Sequence, residues 1–502
     1  MNPISIETLA GILGAAVTRR ILPSDCGAAP HVTGVSTDSR TVKPGDCFFA
    51  IPGGQFDGHN YVAEVFGKGA ACAVVCRAVN GEPIPGPILK VRDTIHALGD
   101  LAGHYRRTSA FKVVAITGSV GKTTTRQIVH HVLSRRFRTH QAQKSFNNNI
   151  GLPLTLLGAE AQTEVIVAEL GANHPGEIAC LTRIARPDIA LVTNAHPAHL
   201  EGFGDLATII REKLSIADGL ADGGILIING DIEPLVAACR SSGQRFLTFG
   251  TSAGADYRAQ QIACGALHST FVIRGTQVRL PLPGPGNVEN ALAAWAVCDQ
   301  LGVSAGDFAQ AIESLRSVAM RAEPVRIGTL TVLNDCYNAN PASMKNALAM
   351  LRKLRPAPED VSQASGARSE GETVSRASCP RCKGETPSTR STSLARPRLV
   401  FICGEMAELG PQSQSLHAEL GRAAAEAGVD LLVAVGELPR VAARAAQDAS
   451  RDGLQVREFA DTASACDHIK DLVRKDDIIL VKGSRVARLE RLVEKLIKDY
   501  GR

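Results

Sequence analysis

No apolar run in this sequence reaches the roughly 20 residues that a membrane-spanning helix needs. The N-terminus MNPISIETLAGILGAAV has no basic leader, and Glu7 interrupts its apolar stretch, so no signal peptide is expected. Charge of one sign is not in excess either: the formal net charge is +5 over 502 residues, which demands neither nucleic acid nor an anionic membrane as a partner. The thirteen cysteines show no framework of paired spacings. They are scattered through apolar stretches such as Ala71-Cys72-Ala73-Val74-Val75-Cys76, which suits buried reduced thiols in a cytosolic protein. A G-x-G-x-x-G dinucleotide fingerprint is also missing, and no NAD is expected. What remains is a soluble α/β chain long enough for about three domains of roughly 150 residues each.

The stretch from Lys112 to Leu133 organises the rest. Val113, Val114, Ala115 and Ile116 form a short apolar run suited to a buried strand, and Ile128, Val129, Val132 and Leu133 recur at helical spacing. Between them runs Thr117-Gly118-Ser119-Val120-Gly121-Lys122-Thr123-Thr124. A glycine-bearing turn from strand to helix aims backbone N–H groups, and the positive end of the helix, at a polyphosphate. Lys122 then reaches the terminal phosphates and the Thr123 hydroxyl holds Mg²⁺. Ile116 stands where the first glycine of the full Walker pattern belongs, so only G-x-x-G-K-T-T is present. A plain glycine turn with a solvated Lys122 is the alternative, but strand, turn, lysine, threonines and helix together favour an ATP site.

Residues 1–92 read as a small α/β domain, with a helical segment from about Thr94 to Arg107 leading into the ATP-site strand. Ser36, Asp38, Ser39 and Arg40 could hydrogen-bond a nucleobase or a diphosphate. Spacing alone favours a polar surface turn with a capping Asp. Farther on, Asn147-Asn148-Asn149-Ile150-Gly151 is loop chemistry whose amides can also contact a polar ligand. Val165 to Ala168 reads as a buried strand that delivers Glu169 at its carboxyl end, where ligands of open α/β sheets collect. A solvated glutamate is the plain reading there, and Mg²⁺ ligation the favoured one. Ile189 to Thr193 is a third such strand. His196 and His199 follow it without a third ligand at zinc spacing, so a structural role is the ordinary expectation.

The last domain is expected from residue 320, with strands Leu399 to Cys403, Leu431 to Val435 and Ile478 to Val481 alternating with helices. Within it, 357–397 is rich in Ser, Thr, Gly, Pro and charge and cannot bury enough apolar surface to fold alone, so a disordered insertion is expected. Cys379 and Cys382 there form half a zinc motif with no second pair, which argues against bound zinc.

These stretches, together with Ala198 to Gly204, Asp335 to Pro341, Gly404 to Gly410 and Lys482 to Arg485, resemble the Mur ligases. These are the ATP-dependent amide-bond ligases that build the peptide stem of bacterial peptidoglycan. The resemblance implies three α/β domains: an N-terminal UDP-substrate domain at 1–92, a central P-loop parallel-sheet domain at 93–319, and a C-terminal Rossmann-like domain at 320–502. It implies that Ser36, Asp38, Ser39 and Arg40 contact the uridine nucleotide, that Thr123, Glu169 and His199 bind Mg²⁺, and that Lys213 is carbamylated and joins them. Lys213 lies 14 positions after His199, which matches the family's spacing. Gly118, Ser119, Gly121, Lys122, Thr123 and Thr124 then hold the phosphates of ATP. Asn287 and Asn290 lie near its adenine, with Gly286 where the family usually carries His. Arg321 is placed to reach the phosphates, and Asp335 the ribose or phosphate region. Asn148, Asn149, Tyr337, Asn338 and Asn340 are placed with the substrates. Lys122, His199, Lys213 and Arg321 carry the catalysis. The implied partners are ATP, Mg²⁺, UDP-N-acetylmuramoyl-tripeptide and D-alanyl-D-alanine, acted on by a cytoplasmic monomer. A folate polyglutamate ligase would share the P-loop, Glu169 and the lysine but lack the first-domain turn and Tyr337-Asn-Ala-Asn-Pro341. A non-enzymatic ATP switch would leave His199, Lys213 and Arg321 unexplained.

Overall fold

The computed structural model describes residues 1–19, 31–79, 84–143, 145–197, 200–265, 267–355, 396–450 and 453–501. The expected insertion at 357–397, with Cys379 and Cys382, lies almost wholly outside the described residues, and so does His199. The chain divides into two compact units, with the change near Arg316–Ser317; Gly265–Leu267 go with the second unit and Glu408–Gly410 with the first.

The first unit begins with a five-stranded sheet in the order Ala16–Arg19, Ile88–Lys90, Cys72–Val75, Asp46–Phe49, Gly34–Ser36. The last four run parallel to one another. Cys72–Val75 and Asp46–Phe49 are buried along their whole length, as parallel strands covered on both faces must be. Ser36 therefore sits at a carboxyl edge. The helix Thr94–Thr108 follows, its first turn capped by Asp93, whose carboxylate accepts from the N–H groups of Ile95 and His96.

A seven-stranded parallel sheet comes next, in the order Tyr257–Arg258, Phe246–Gly250, Ile225–Asn229, Ile189–Val192, Lys112–Thr117, Val165–Glu169, Thr139–Gln141. Lys112–Thr117 is thus central, and its neighbours bring Glu169 and the residues after Val192 to the same edge. The helix Pro285–Gln300 is apolar on nearly every face because it is enclosed. Its Trp295 meets Tyr257 and Phe308 edge-on, with ring centroids 6.3 and 5.4 Å apart.

In the second unit a six-stranded sheet runs Glu323–Ile327, Leu330–Asp335, Ile478–Lys482, Leu399–Cys403, Leu431–Val435, Gln455–Phe459. Only the first pair is antiparallel. Asp335 and Lys482 end adjacent parallel strands and are register partners. Among the described residues no helix is long and apolar enough to cross a membrane. Cys47, Cys72, Cys239, Cys298, Cys336 and Cys403 are unbridged and buried.

Candidate active site

Two glycines set the turn between the strand Lys112–Thr117 and the helix Lys122–Leu133. Gly118 (φ 147°) and Gly121 (φ 84°) adopt backbone that side-chain-bearing residues rarely accept. A Cβ on Gly118 would stand 2.0 Å from Thr193 Oγ1, and one on Gly121 2.0 Å from Asn290 Oδ1. Asn194 ties the turn down: its carbonyl accepts from Ser119 N–H (3.2 Å), its Oδ1 accepts from Val120 N–H (2.9 Å), and its Nδ2 donates to the Val120 carbonyl (3.0 Å). The Ser119 hydroxyl donates to the His196 carbonyl at 2.8 Å. Lys122 opens the helix Lys122–Leu133 and donates to the Gly118 carbonyl at 2.7 Å, which folds the ammonium back over the turn.

Glu169 is buried at the end of the neighbouring strand, 3% exposed. The Thr123 hydroxyl donates to its Oε2 at 2.9 Å, the Asn147 amide to its Oε1 at 3.0 Å, and Arg126 Nε lies 3.9 Å from Oε2. A carboxylate and a hydroxyl beside a phosphate cradle are hard oxygen donors that fit Mg²⁺, an ion that takes few protein ligands and completes its shell with phosphate and water. Among the described residues no group of three or more His, Cys, Asp or Glu could hold a metal by itself.

Lys213 sits in the last turn of the helix Leu206–Leu214, 3% exposed, with Nζ 5.4 Å from the centre of the Phe203 ring. Burial, and then the charge of Lys122, push its ammonium down to about 7. The adjacent Glu212 turns away to accept from the N–H groups of Gly176 (2.6 Å) and Ile178 (2.7 Å). Lys213 is therefore a buried amine that sheds its proton near neutrality.

The amide residues fall less simply. Asn290 Oδ1 accepts from the Thr125 hydroxyl at 3.3 Å, and Asn290 Nδ2 donates to Asn287 Oδ1 at 3.4 Å, so both join the network behind the turn. Asn148 Oδ1 accepts from the N–H groups of Ile150 and Gly151, while Asn149 is exposed. In the first domain Asp38 takes Arg40 on both carboxylate oxygens, at 2.8 and 2.6 Å, and these bonds hold its carboxyl down at about 2. The Ser36 hydroxyl donates to the Asp38 carbonyl at 3.0 Å, and the Ser39 carbonyl accepts from Lys68 at 2.8 Å.

The second unit carries its own cluster. Asp335 receives Lys482 Nζ on Oδ2 at 2.6 Å and the Ala322 N–H on Oδ1 at 3.0 Å. Lys482 also donates to the Asn338 carbonyl at 3.0 Å. Asn340 caps the helix Pro341–Leu354 in a reciprocal pair with Ser343, and Arg321 lies over the Tyr337 ring. Of the three adjacent amides that the sequence offered as ligand contacts, Asn147 is the one that meets Glu169, and Asn194, which binds the glycine turn, is a residue to which the sequence reading gave no role. The signal for Asn194 was present, a polar residue directly after a buried parallel strand.

Three family models match: the Mur ligase family catalytic domain over residues 31–106, the Mur ligase middle domain over 116–298, and the Mur ligase glutamate ligase domain over 388–485. The chain is 32% identical over 472 residues to the UDP-N-acetylmuramoyl-tripeptide--D-alanyl-D-alanine ligase of Bacillus subtilis, covering 93% of this chain and 94% of that one. To the ligase of the same name from Escherichia coli it is 33% identical over 479 residues, covering 94% and 95%. A crystal structure of MurF from Acinetobacter baumannii superposes with a TM-score of 0.81 at 29% identity, covering 99% of this chain and 100% of that one. The three-domain α/β architecture is the one these structures share, and MurF from Thermotoga maritima in complex with ADP has the same fold at a TM-score of 0.75 and 24% identity. With relatives at this identity along almost its whole length, the chain belongs to the Mur ligase family.

Proposed function

We propose that this protein is the ATP-dependent ligase that joins D-alanyl-D-alanine to UDP-N-acetylmuramoyl-tripeptide, releasing ADP and phosphate. The observation that carries the reading is the glycine cradle with Thr123 on Glu169, in a chain that aligns over 93% of its length with a ligase of that name. The product is the pentapeptide precursor of peptidoglycan, which places the enzyme in the cytoplasm, in cell-wall biogenesis, cell shape and division. We divide the monomer into domains at 1–92, 93–319 and 320–502.

The N–H groups of the Gly118–Thr124 turn and Lys122 bind the triphosphate and offset its charge. Arg321 supplies a further cation to the phosphates. The neutral amine of Lys213 adds to CO₂: an N–C bond forms, one proton leaves the nitrogen, and the uncharged amine becomes an anionic carbamate. Thr123, Glu169, His199 and carbamylated Lys213 are the residues that would hold Mg²⁺, which when bound supplies positive charge to the crowded phosphate oxygens. The terminal carboxylate of the tripeptide attacks the γ-phosphorus, and ADP leaves. The amine of D-alanyl-D-alanine then attacks the acyl carbon, the C–O bond to phosphate breaks, and the amine gives up a proton. No side-chain nucleophile takes part, so positioning and electrostatics supply the catalysis. The Ser36–Arg40 turn receives the uridine nucleotide, with Asp38 acting through Arg40. The loops of Asn148 and Asn149 and of Tyr337, Asn338 and Asn340 border the substrates.

The test is ADP release by the full-length enzyme against a panel of UDP-linked peptides and amine acceptors. Turnover should require UDP-N-acetylmuramoyl-tripeptide together with D-alanyl-D-alanine. Equal turnover with single amino acids, or with a folate and glutamate, would contradict the assignment.

A further inference from the structure

The first domain carries a cluster that the ligation does not use. At Gly58 the chain passes so close to the segment after Asp46–Phe49 that a Cβ would stand 2.8 Å from Ile51 N and 2.9 Å from Ala50 Cα. The Gly58 N–H donates to the Ile51 carbonyl at 2.9 Å. That approach delivers His59, 4% exposed, to the end of the neighbouring buried strand Cys72–Val75, where Cys76 follows. The Cys76 N–H donates to His59 Nε2 at 3.2 Å, so that nitrogen carries the lone pair of the ring and the proton sits on Nδ1. Nδ1–H in turn donates to Asp57 Oδ1 at 2.7 Å. Cys76 Sγ lies 3.5 Å from the same Nε2.

Accepting the Cys76 N–H would need only an amide oxygen; the imidazole adds a base. A thiol beside the basic nitrogen of an imidazole, whose other nitrogen is oriented by a carboxylate, is the arrangement that activates a sulfur nucleophile. Among the described cysteines only Cys76 brings its sulfur to a histidine, and it is partly exposed. Cys180 is the more exposed thiol and makes no such contact. Arg77 bonds the second oxygen of Asp57 and is itself largely exposed, which puts positive charge beside the cluster, a setting that favours a thiolate.

We propose that Asp57, His59 and Cys76 form a thiol modification site that takes up small disulfides by exchange. Cys76 Sγ attacks one sulfur of the disulfide, its proton passes to His59 Nε2, and Asp57 offsets the charge of the imidazolium. A new S–S bond to Cys76 forms, the bond within the small disulfide breaks, and the departing thiolate takes the proton from His59. The Cys76 thiol is oxidised and the small disulfide reduced, so no further oxidant enters. Full-length protein is incubated with bis(2-hydroxyethyl) disulfide at neutral pH, quenched with acid and digested. The added hydroxyethylthio group is then located and timed by fragment mass at Cys76 and at Cys180. Cys76 should react at least about tenfold faster than Cys180. His59→Gln keeps an oxygen for the Cys76 N–H but has nothing to take the thiol proton; it should slow Cys76 at least about tenfold and leave Cys180 unchanged. Should His59→Gln fail to fold, Asp57→Asn keeps an acceptor for Nδ1–H while removing the charge, and should slow Cys76 about tenfold. Cys76 reacting more slowly than Cys180 in the wild type, or at an unchanged rate in a folded variant, would overturn the proposal. None of these readouts depends on ligation, so the site is tested apart from the function proposed above.

Discussion

Lys213 is where one residue bears the most weight. Its amine titrates near pH 7 in the folded enzyme against 10.5 in the unfolded chain, so between those values the unfolded state binds a proton that the native state does not. Stability should therefore rise with pH from about 7 to 10.5 through this group and be lower below 7, where burying the ammonium costs most. The same neutral amine is what CO₂ requires. Stripping CO₂ from the buffer should lower turnover and bicarbonate should restore it, with the mass of one added carboxyl on the peptide containing Lys213. Lys213→Ala should fold and turn over at least ~100-fold more slowly, with partial recovery in small carboxylates that fill the vacated space. Lys213→Glu should retain more activity than Lys213→Ala, its shorter reach limiting the gain. Full activity in Lys213→Ala would remove the carbamate from the mechanism.

At the scale of elements, the turn at Gly118–Thr124 is built around a close approach and not merely an unusual φ. Gly121 and Gly223 share left-handed backbone, φ 84° and 76°, but a Cβ on Gly121 would meet Asn290 Oδ1 at 2.0 Å while one on Gly223 would meet nothing within 4 Å. Gly223→Ala should then cost about 1 kcal/mol of stability and leave ATP binding intact. Gly121→Ala must also displace Asn290, and should weaken ATP binding by about tenfold or more, read by equilibrium titration. Equal ATP affinity in both variants would refute the packing argument. The central strands of both large sheets were legible in the sequence because they are buried on both faces and read as apolar runs: Lys112–Thr117, Val165–Glu169 and Ile189–Val192 in the first unit, and Leu399–Cys403 and Leu431–Val435 in the second, stand where their residues predicted them. The amides were not legible to the same degree. Asn147, Asn148 and Asn149 are adjacent and chemically identical, and only tertiary distance puts Asn147 on Glu169 while Asn148 Oδ1 accepts from the N–H groups of Ile150 and Gly151 in its own turn. For Asn340 the sequence did hold the signal, since Asn340-Pro341-Ala342-Ser343 is the spacing of a reciprocal cap.

For the whole molecule, Lys122, Glu169 and Lys213 belong to the first compact unit, and Arg321, Asp335 and Tyr337 to the second. Each α/β sheet builds its own core on either side of Arg316–Ser317. How Asp335 and Lys482 pair was not legible in the sequence, since they are 147 residues apart and meet only as register partners at the carboxyl ends of adjacent strands. The central claim is that the tripeptide carboxylate is activated by phosphoryl transfer and then captured by the dipeptide amine. It is tested most directly by labelling both oxygens of that carboxylate with oxygen-18 and analysing the phosphate released during ligation. The account predicts that each phosphate carries one labelled oxygen and each new peptide carbonyl the other. Unlabelled phosphate, formed at the same rate as the ligated product, would contradict it.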